Sequence, residues 1–343
     1  MGETPYFTTE TQLPFPISAA LRIKNQAIFH PLKFIYALLP HLRVYGNSTV
    51  TKIENNLVMT DLATVSARYI VIATRYPFFL LPGLFFARMH QERSYALSIS
   101  NIPPMNNMYI NVDEGDVTFR PWNDQIILSG FSHRTAHTQI QSGYDALHLC
   151  AQRWYPGHQY TAQWSTEDCI PADHIPYIGS YQHSAARIYV ATGFQKWGMS
   201  SAMVAADILA DAICGRRNQF ASLFSPHRSP SAKAIGNIIH DGAISSANLA
   251  KQIFYIPRAK AHDIPPGQGG IVQWNGCKAG VYHHENGKYY FVSTRCPHMG
   301  CQLSWNEVEQ SWDCPCHGSR FSYDGTRLDP PAKEKLPCKC CKA

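Results

Sequence analysis

Near its C-terminal end the chain reads Cys296-Pro-His298-Met-Gly-Cys301 and, 12 residues on, Cys314-Pro-Cys316-His317-Gly-Ser319. Each stretch offers one thiolate and one imidazole, spaced C-x-H and C-x-x-H. Two thiolates and two imidazoles on short loops constrain the fold strongly, because both loops have to converge on one inorganic centre. Two centres take this donor set. A structural zinc ion is held tetrahedrally by two cysteines and two histidines. A [2Fe–2S] cluster can instead carry two cysteines on one iron and two histidines on the other, at a higher potential than an all-cysteine cluster. The spacing favours the cluster. C-x-H sets its ligands closer than zinc-finger pairs do, and Cys301 and Cys316 are thiols that a zinc site does not need.

The two motifs resemble the Rieske form found in cytochrome bc complexes. That resemblance implies Cys296 and Cys314 on one iron, and His298 and His317 on the redox-active other. It implies a Cys301–Cys316 disulfide clamping the loops, which favours electron transfer over oxygen activation. It also implies that the Ser319 hydroxyl donates to a bridging sulfide. Phe321 stands where high-potential members carry a tyrosine, and Tyr323 has a hydroxyl at the wrong spacing. Fewer donors to the sulfurs lower the potential, so an intermediate value is expected.

The flanks read as a small β domain. Val281 to His284, the turn Glu285-Asn-Gly-Lys288 and Tyr289 to Val292 form a strand, turn and strand, with Asn-Gly as the hairpin signal. His283 and His284 are read as strand residues beside that turn rather than ligands.

A chain of 343 residues fits two domains. It has no run of 18 apolar residues to span a membrane and no visible signal peptide. The net charge of +6 is scattered, apart from a basic tail from Lys333 to Lys342, so nucleic-acid binding is not expected. Of the eleven cysteines, Cys150, Cys169, Cys214 and Cys277 are dispersed, which suits reduced thiols in a cytoplasmic setting. Cys338, Cys340 and Cys341 are read as a solvated tail, with metal binding as the alternative.

Residues 1 to about 228 have another character, with short β-rich runs alternating with helical stretches. Ala67 to Thr74 and Arg187 to Gly193 read as apolar strands. Val117 to Pro121 and Gln125 to Gly130 read as strands paired around Trp122-Asn-Asp124. A helix is expected over Met199 to Cys214, capped by Ser200 or Ser201 and ended by Gly215. A strand running through Gly193-Phe-Gln-Lys-Trp-Gly198 into a helix N-terminus suits an anion, although a plain turn reads the same way.

Ile70 to Pro77, Arg93 to Leu97, Asp168 to Gly179 and Tyr189 to Met199 resemble the FAD-dependent oxidoreductases of the D-amino-acid and glycine oxidase kind. The bacterial subgroup fused to a C-terminal Rieske domain is the nearest in order of motifs. The fold implied is α+β or α/β. A partial flavin domain (1–228) precedes a helical linker (229–262) and a small all-β Rieske domain (263–343). The linker helix, Ala232 to about Ile256, is expected to break near His240-Asp-Gly242. For FAD, the resemblance places Val50 at the adenine and Ala73 and Thr74 beside the adenosine and pyrophosphate. Gly193 to Ser200, with Trp197, Gly198 and Met199, line the isoalloxazine and pyrophosphate. Gln26 to Pro31, including His30, falls near the flavin and substrate pocket.

The chain departs from that family at its start. The Gly-x-Gly-x-x-Gly fingerprint that opens such flavoproteins is absent, and Gly267-Gln-Gly-Gly270 fails its spacing. About 150 residues of the pattern are missing, judged from ordinary domain size. A fragment, a partner polypeptide supplying the flavin half, and a degenerate flavin domain kept for docking all account for this.

The activity implied is oxidation of an amine or amino acid at a flavin, with electrons passed singly through the cluster to an acceptor protein or quinone. The alternative is a Rieske carrier borne on a flavin-domain remnant. Arg120 and Arg134 are candidate clamps for a substrate carboxylate, against the plainer reading of strand-edge arginines.

Overall fold

Alternating burial builds the first of two compact units, which gathers residues 1–49, 94–132 and 140–166. The structure, a computed structural model, describes residues 4–77, 83–112, 117–136, 143–181 and 187–337. Strands Thr118–Trp122 and Gln125–Arg134 bury every second side chain at the start, as a half-covered sheet requires. They pair antiparallel with Trp122 opposite Gln125, so the expected hairpin is present. Phe119, Ile126 and Leu128 pack with Leu97 and Ile99 of strand Met89–Ser100, and with Leu147 and Ala151 of helix Gly143–Trp154. Gly143 opens that helix where any Cβ would overlap the Tyr95 ring.

The second unit holds residues 50–93, 133–139 and 167–343. The expected first domain, 1–228, thus contributes to both units. A short parallel pair organises the flavin-like part of this unit. Ile70–Ile72 lies parallel to Ile188–Thr192, and Tyr177–Ser180 runs antiparallel on the other side of the latter. Ala205, Ile208 and Leu209 of helix Gly198–Ile213 cover this sheet through Ile178, Tyr189 and Ala191. The helix leads into Gly215, left-handed at φ 70°, as expected. Its N-terminus differs from the expectation. Trp197 is the N-cap without a side-chain bond, and the Ser200 hydroxyl instead donates to the Trp197 carbonyl.

The linker also departs from expectation, because Ala232–Phe254 is one unbroken helix of 23 residues. The Ser231 hydroxyl caps it by accepting from Ala234 N–H at 3.2 Å. A mid-helix glycine costs about 1 kcal/mol. That cost is offset here by the neighbouring Asp241, which pairs with Arg134 and His90.

The C-terminal part is all β, as expected. Gly269–Trp274, Cys277–His283 and Tyr289–Ser293 form one antiparallel sheet. Ser304–Asn306, Ser311–Asp313, Arg320–Ser322 and Arg327–Asp329 form another. Trp312, Phe321 and Leu303 are fully buried between the strands and loops. Among the described residues, no helix is long and apolar enough to cross a membrane. The Cys338, Cys340 and Cys341 tail lies outside the described residues.

Candidate metal centre

The two motif loops fold by one shared pattern of backbone bonds. Cys296 N–H donates to the Cys301 carbonyl at 2.9 Å, and Gly300 N–H returns to the Cys296 carbonyl at 2.9 Å. Cys314 N–H donates to the Ser319 carbonyl at 2.8 Å, and Gly318 N–H returns to the Cys314 carbonyl at 2.9 Å. Gly300 and Gly318 close these rings with φ of 84° and 79°, a backbone shape that side chains disfavour. The sequence therefore writes the same loop twice, and each copy places its cysteine at the first corner. The Cys301–Cys316 disulfide joins them, as the resemblance implied.

The donors meet like with like. The Cys296 and Cys314 thiols are buried and hydrogen-bonded to each other. The His298 and His317 rings lie 4.9 Å apart between centroids and nearly perpendicular, at 87°. Both Nδ1 atoms are buried without a hydrogen-bond partner. Buried nitrogens are ordinarily paired, and two unpaired ones on adjacent rings are open to a metal. Burial pushes His317 down to about 3, helped by the adjacent His298, and burial alone pushes His298 down to about 4. Both imidazoles are thus neutral and keep the lone pair that ligation needs. The bond from Cys314 lowers Cys296, while that bond and burial raise Cys314. Metal binding would displace the protons that these thiols carry.

This geometry separates the two candidate centres. Around one tetrahedral zinc, bonds of about 2.0–2.3 Å bring all four donor atoms within roughly 4 Å of one another. Among the described residues, the one group of three or more potential ligand atoms that close is Cys301, Cys314 and Cys316. Two of those sulfurs are consumed by the disulfide, so that grouping reflects the clamp. Among the described residues, Cys296, Cys314, His298 and His317 do not gather three donor atoms within 4.8 Å of one another, which suits two irons better than one tetrahedral ion.

Ser319 is fully buried, accepts from Ala332 N–H at 2.9 Å and hydrogen-bonds Cys296. Phe321 is sealed in the core, and Tyr323 packs on Tyr282 and Tyr290. His283 stacks on Tyr289 and bonds the Ile264 carbonyl.

Sequence reasoning missed a buried charge cluster directly behind the second loop. Arg93, with 1% of its side chain exposed, pairs with Glu167 at 3.3 Å, Asp313 at 3.1 Å and Glu309 at 3.4 Å. Arg320 joins Asp313, Glu309 and Asp329, and Arg75 also reaches Asp329. The one available signal was the polar run His90-Gln-Glu-Arg93 leading into the more apolar second half of its strand. Burial pushes Glu167 up to about 8 against the pull of Arg93, and its Oε2 has no partner. Its folded value lies above the ordinary 4.5, so the native state holds a proton that the unfolded chain releases. Stability should therefore fall, by up to about 1.4 kcal/mol per pH unit between about pH 4.5 and 8. Glu167→Gln is expected to flatten that slope. A variant whose melting temperature declines with pH as steeply as the parent's would contradict the assignment.

The residues proposed for FAD are partly assembled. The parallel register Ile188↔Ile70 brings Ala73 and Thr74 to the same C-terminal strand edge as Gly193. Ligands bind there in open α/β sheets. Gly193 has φ 73°, and a Cβ there would strike Pro171. Gly198, Met199 and Ser200 begin the helix with the uncapped N-terminus, beside an exposed Trp197. Val50 instead opens a separate three-stranded sheet, Val50–Glu54, Leu57–Thr60 and Thr64–Ser66. His30 caps helix Pro31–Leu38 and lies against Trp122. The two arginines weighed as candidate clamps both make contacts within the chain. Arg120 donates to the Phe29 carbonyl, and Arg134 is held by Asp241 and the second cluster loop.

A flavoprotein-type α/β portion ending in a disulfide-clamped two-cysteine, two-histidine centre defines an oxidoreductase with an electron-transfer module. The chain matches the FAD dependent oxidoreductase family over residues 5–212 and the Rieske [2Fe-2S] domain over residues 254–339. It belongs to that oxidoreductase family and carries a C-terminal Rieske domain. A Rieske 2Fe-2S iron-sulfur protein of Bacillus subtilis, YhfW, is 35% identical over 341 residues, covering 94% of this chain and 67% of YhfW. The cytochrome b6-f complex iron-sulfur subunit of Chlorobaculum tepidum is 39% identical over 79 residues, 23% of this chain and 42% of that subunit. Glycine oxidase from Geobacillus kaustophilus aligns at 17% identity and TM-score 0.47, covering 55% of this chain and 54% of that enzyme.

Proposed function

We propose that the chain passes electrons taken from an amine or amino acid through a [2Fe–2S] cluster to a one-electron acceptor, either a protein or a quinone. Cys296 and Cys314 hold one iron, and His298 and His317 hold the other. Cys301–Cys316 keeps the loops together, and Ser319 donates to the cluster sulfurs. When bound, a flavin accepts an electron pair and the cluster passes electrons on singly. The observation that carries this reading is the pair of buried, unpartnered nitrogens on two adjacent imidazole rings, together with a buried thiol pair. A cavity of about 280 Å³ beside the loops, lined in part by Phe86, Arg134, Met299 and His317, supports a small-molecule acceptor as well as a protein one.

For FAD, this chain's own residues Ala73, Thr74, Gly193, Trp197, Gly198, Met199 and Ser200 bind one side of the cofactor, with Val50 at the adenine end. A partner polypeptide supplying a flavin half would complete the site beside strand Ile70–Ile72, which is at the edge of its three-stranded sheet among the described residues. The functional divisions proposed are a flavin domain over 1–228, a linker over 229–262 and a cluster domain over 263–343, in the cytoplasm. The second reading, a carrier without its own catalysis, is favoured by the exposure of Trp197, Ala73 and Thr74.

One visible spectrum of the anaerobically purified chain separates these readings. Flavin bands together with broad iron–sulfur features support the enzyme. Iron–sulfur features alone support the carrier. A colourless protein holding zinc overturns both.

A further inference from the structure

We infer that Arg134 is a positioning residue for the cluster. It grips the loop between two ligands and places a fixed positive charge beside it, so the centre is held in place rather than carried on a mobile head. This rests on the cluster reading above.

The guanidinium has three separate engagements. Nη2 donates to the Cys316 carbonyl at 3.2 Å, and Nε donates to the Pro315 carbonyl at 3.5 Å. Nη1 pairs with Asp241 of the linker helix. Pro315 and Cys316 are the two residues between the ligands Cys314 and His317, so Arg134 holds the middle of the ligand span. The fork shape of the group matters, because an ammonium point charge does not reproduce such a set of directions.

Other groups converge on the same loop. Gln91 Nε2 donates to the His317 carbonyl at 2.6 Å and to the Pro330 carbonyl at 2.9 Å. Gly318 makes that approach possible, since a Cβ there would strike the Gln91 side chain. The His317 ring bonds the Phe86 backbone and meets the Phe86 ring edge-on. Asp241 is itself held by His90 at 3.0 Å. Hydrogen bonds from His90, with the His90 and Arg134 charges, overcome the effect of burial and bring Asp241 down to about 2. Among the described residues the first loop is gripped less, with Cys301 Sγ meeting the Ser245 carbonyl of the linker helix. His298 is half-buried and Met299 is exposed. The two loops are therefore unequal: both meet the linker helix at Ser245, and the second is also held by Arg134 and Gln91.

A cation fixed beside the cluster favours the more negative, reduced state, since net charge and hydrogen bonding set the potential of such centres. The test is redox titration and electron paramagnetic resonance of the iron-loaded full chain. Arg134→Gln is expected to lower the reduction potential and broaden the signal. Arg134→Lys is expected to keep the potential close to the parent's while still broadening the signal, because charge is retained and the fork is lost. Parent-like potential and line shape in Arg134→Gln would overturn the inference. If Arg134→Gln does not load, a parent-like line shape in Arg134→Lys overturns it equally. Failure of both variants to load also counts against it, since Arg134 would then serve folding alone. A parent chain with no [2Fe–2S] signal would instead overturn the cluster reading itself.

Discussion

Arg93→Met is expected to destabilise the folded chain by about 3 kcal/mol or more, as removing one member of a buried ion cluster does. Methionine fills most of the volume and would return about 1–2 kcal/mol of apolar burial. The electrostatic loss is larger, because Arg93 lies within 3.4 Å of three carboxylates. Arg320 remains to pair with Asp313 and Glu309, and Glu167 keeps its proton up to about pH 8. Those two reliefs hold the expected loss toward the lower end of the usual 3–5 kcal/mol. Denaturant unfolding of the two proteins measures it through the shift in midpoint at constant slope. A loss under about 1 kcal/mol would mean that the carboxylates re-pair without Arg93, which is the size expected of exposed ion pairs.

That cluster shows where sequence reading stopped. The loops were legible because their order is local. Each ligand lies within three residues of its loop partner, and Gly300 and Gly318 announce the turns. The hairpin at Asn123-Asp124 and the strand Ile188–Thr192 were legible for the same reason, through alternation or a short apolar run. Arg93, Glu167 and Asp313 become neighbours only through tertiary folding, across separations of 74 residues and more, so nothing local marks them. Arg134 was visible as an arginine, but its partners lie 107 to 182 residues away. The unbroken linker helix is the clearest case of tertiary override. Local propensity at Gly242 argued for a break, whereas Asp241, anchored by Arg134 and His90, holds the helix through it.

Cys314→Ser is expected to abolish the cluster, leaving iron and acid-labile sulfide at background and no broad visible absorption. A serine hydroxyl is a hard ligand that stays protonated near neutral pH, and it cannot replace the soft thiolate that iron–sulfur clusters take. The neighbouring sulfurs of Cys301 and Cys316 are joined to each other, so neither is available to stand in. Cys301→Ser provides the contrast. It removes the clamp and leaves all four proposed ligands in place. Closing a loop of 15 residues is worth about 3 kcal/mol in the chain-entropy view, so that variant should assemble a cluster and lose it faster on warming. The comparison separates ligand from clamp, because iron and sulfide content falls to nothing in the first variant and decays in the second. Parent-like iron and sulfide in Cys314→Ser would remove that cysteine from the ligand set. Zinc bound in place of iron by the parent chain would overturn the two-iron reading of the whole centre.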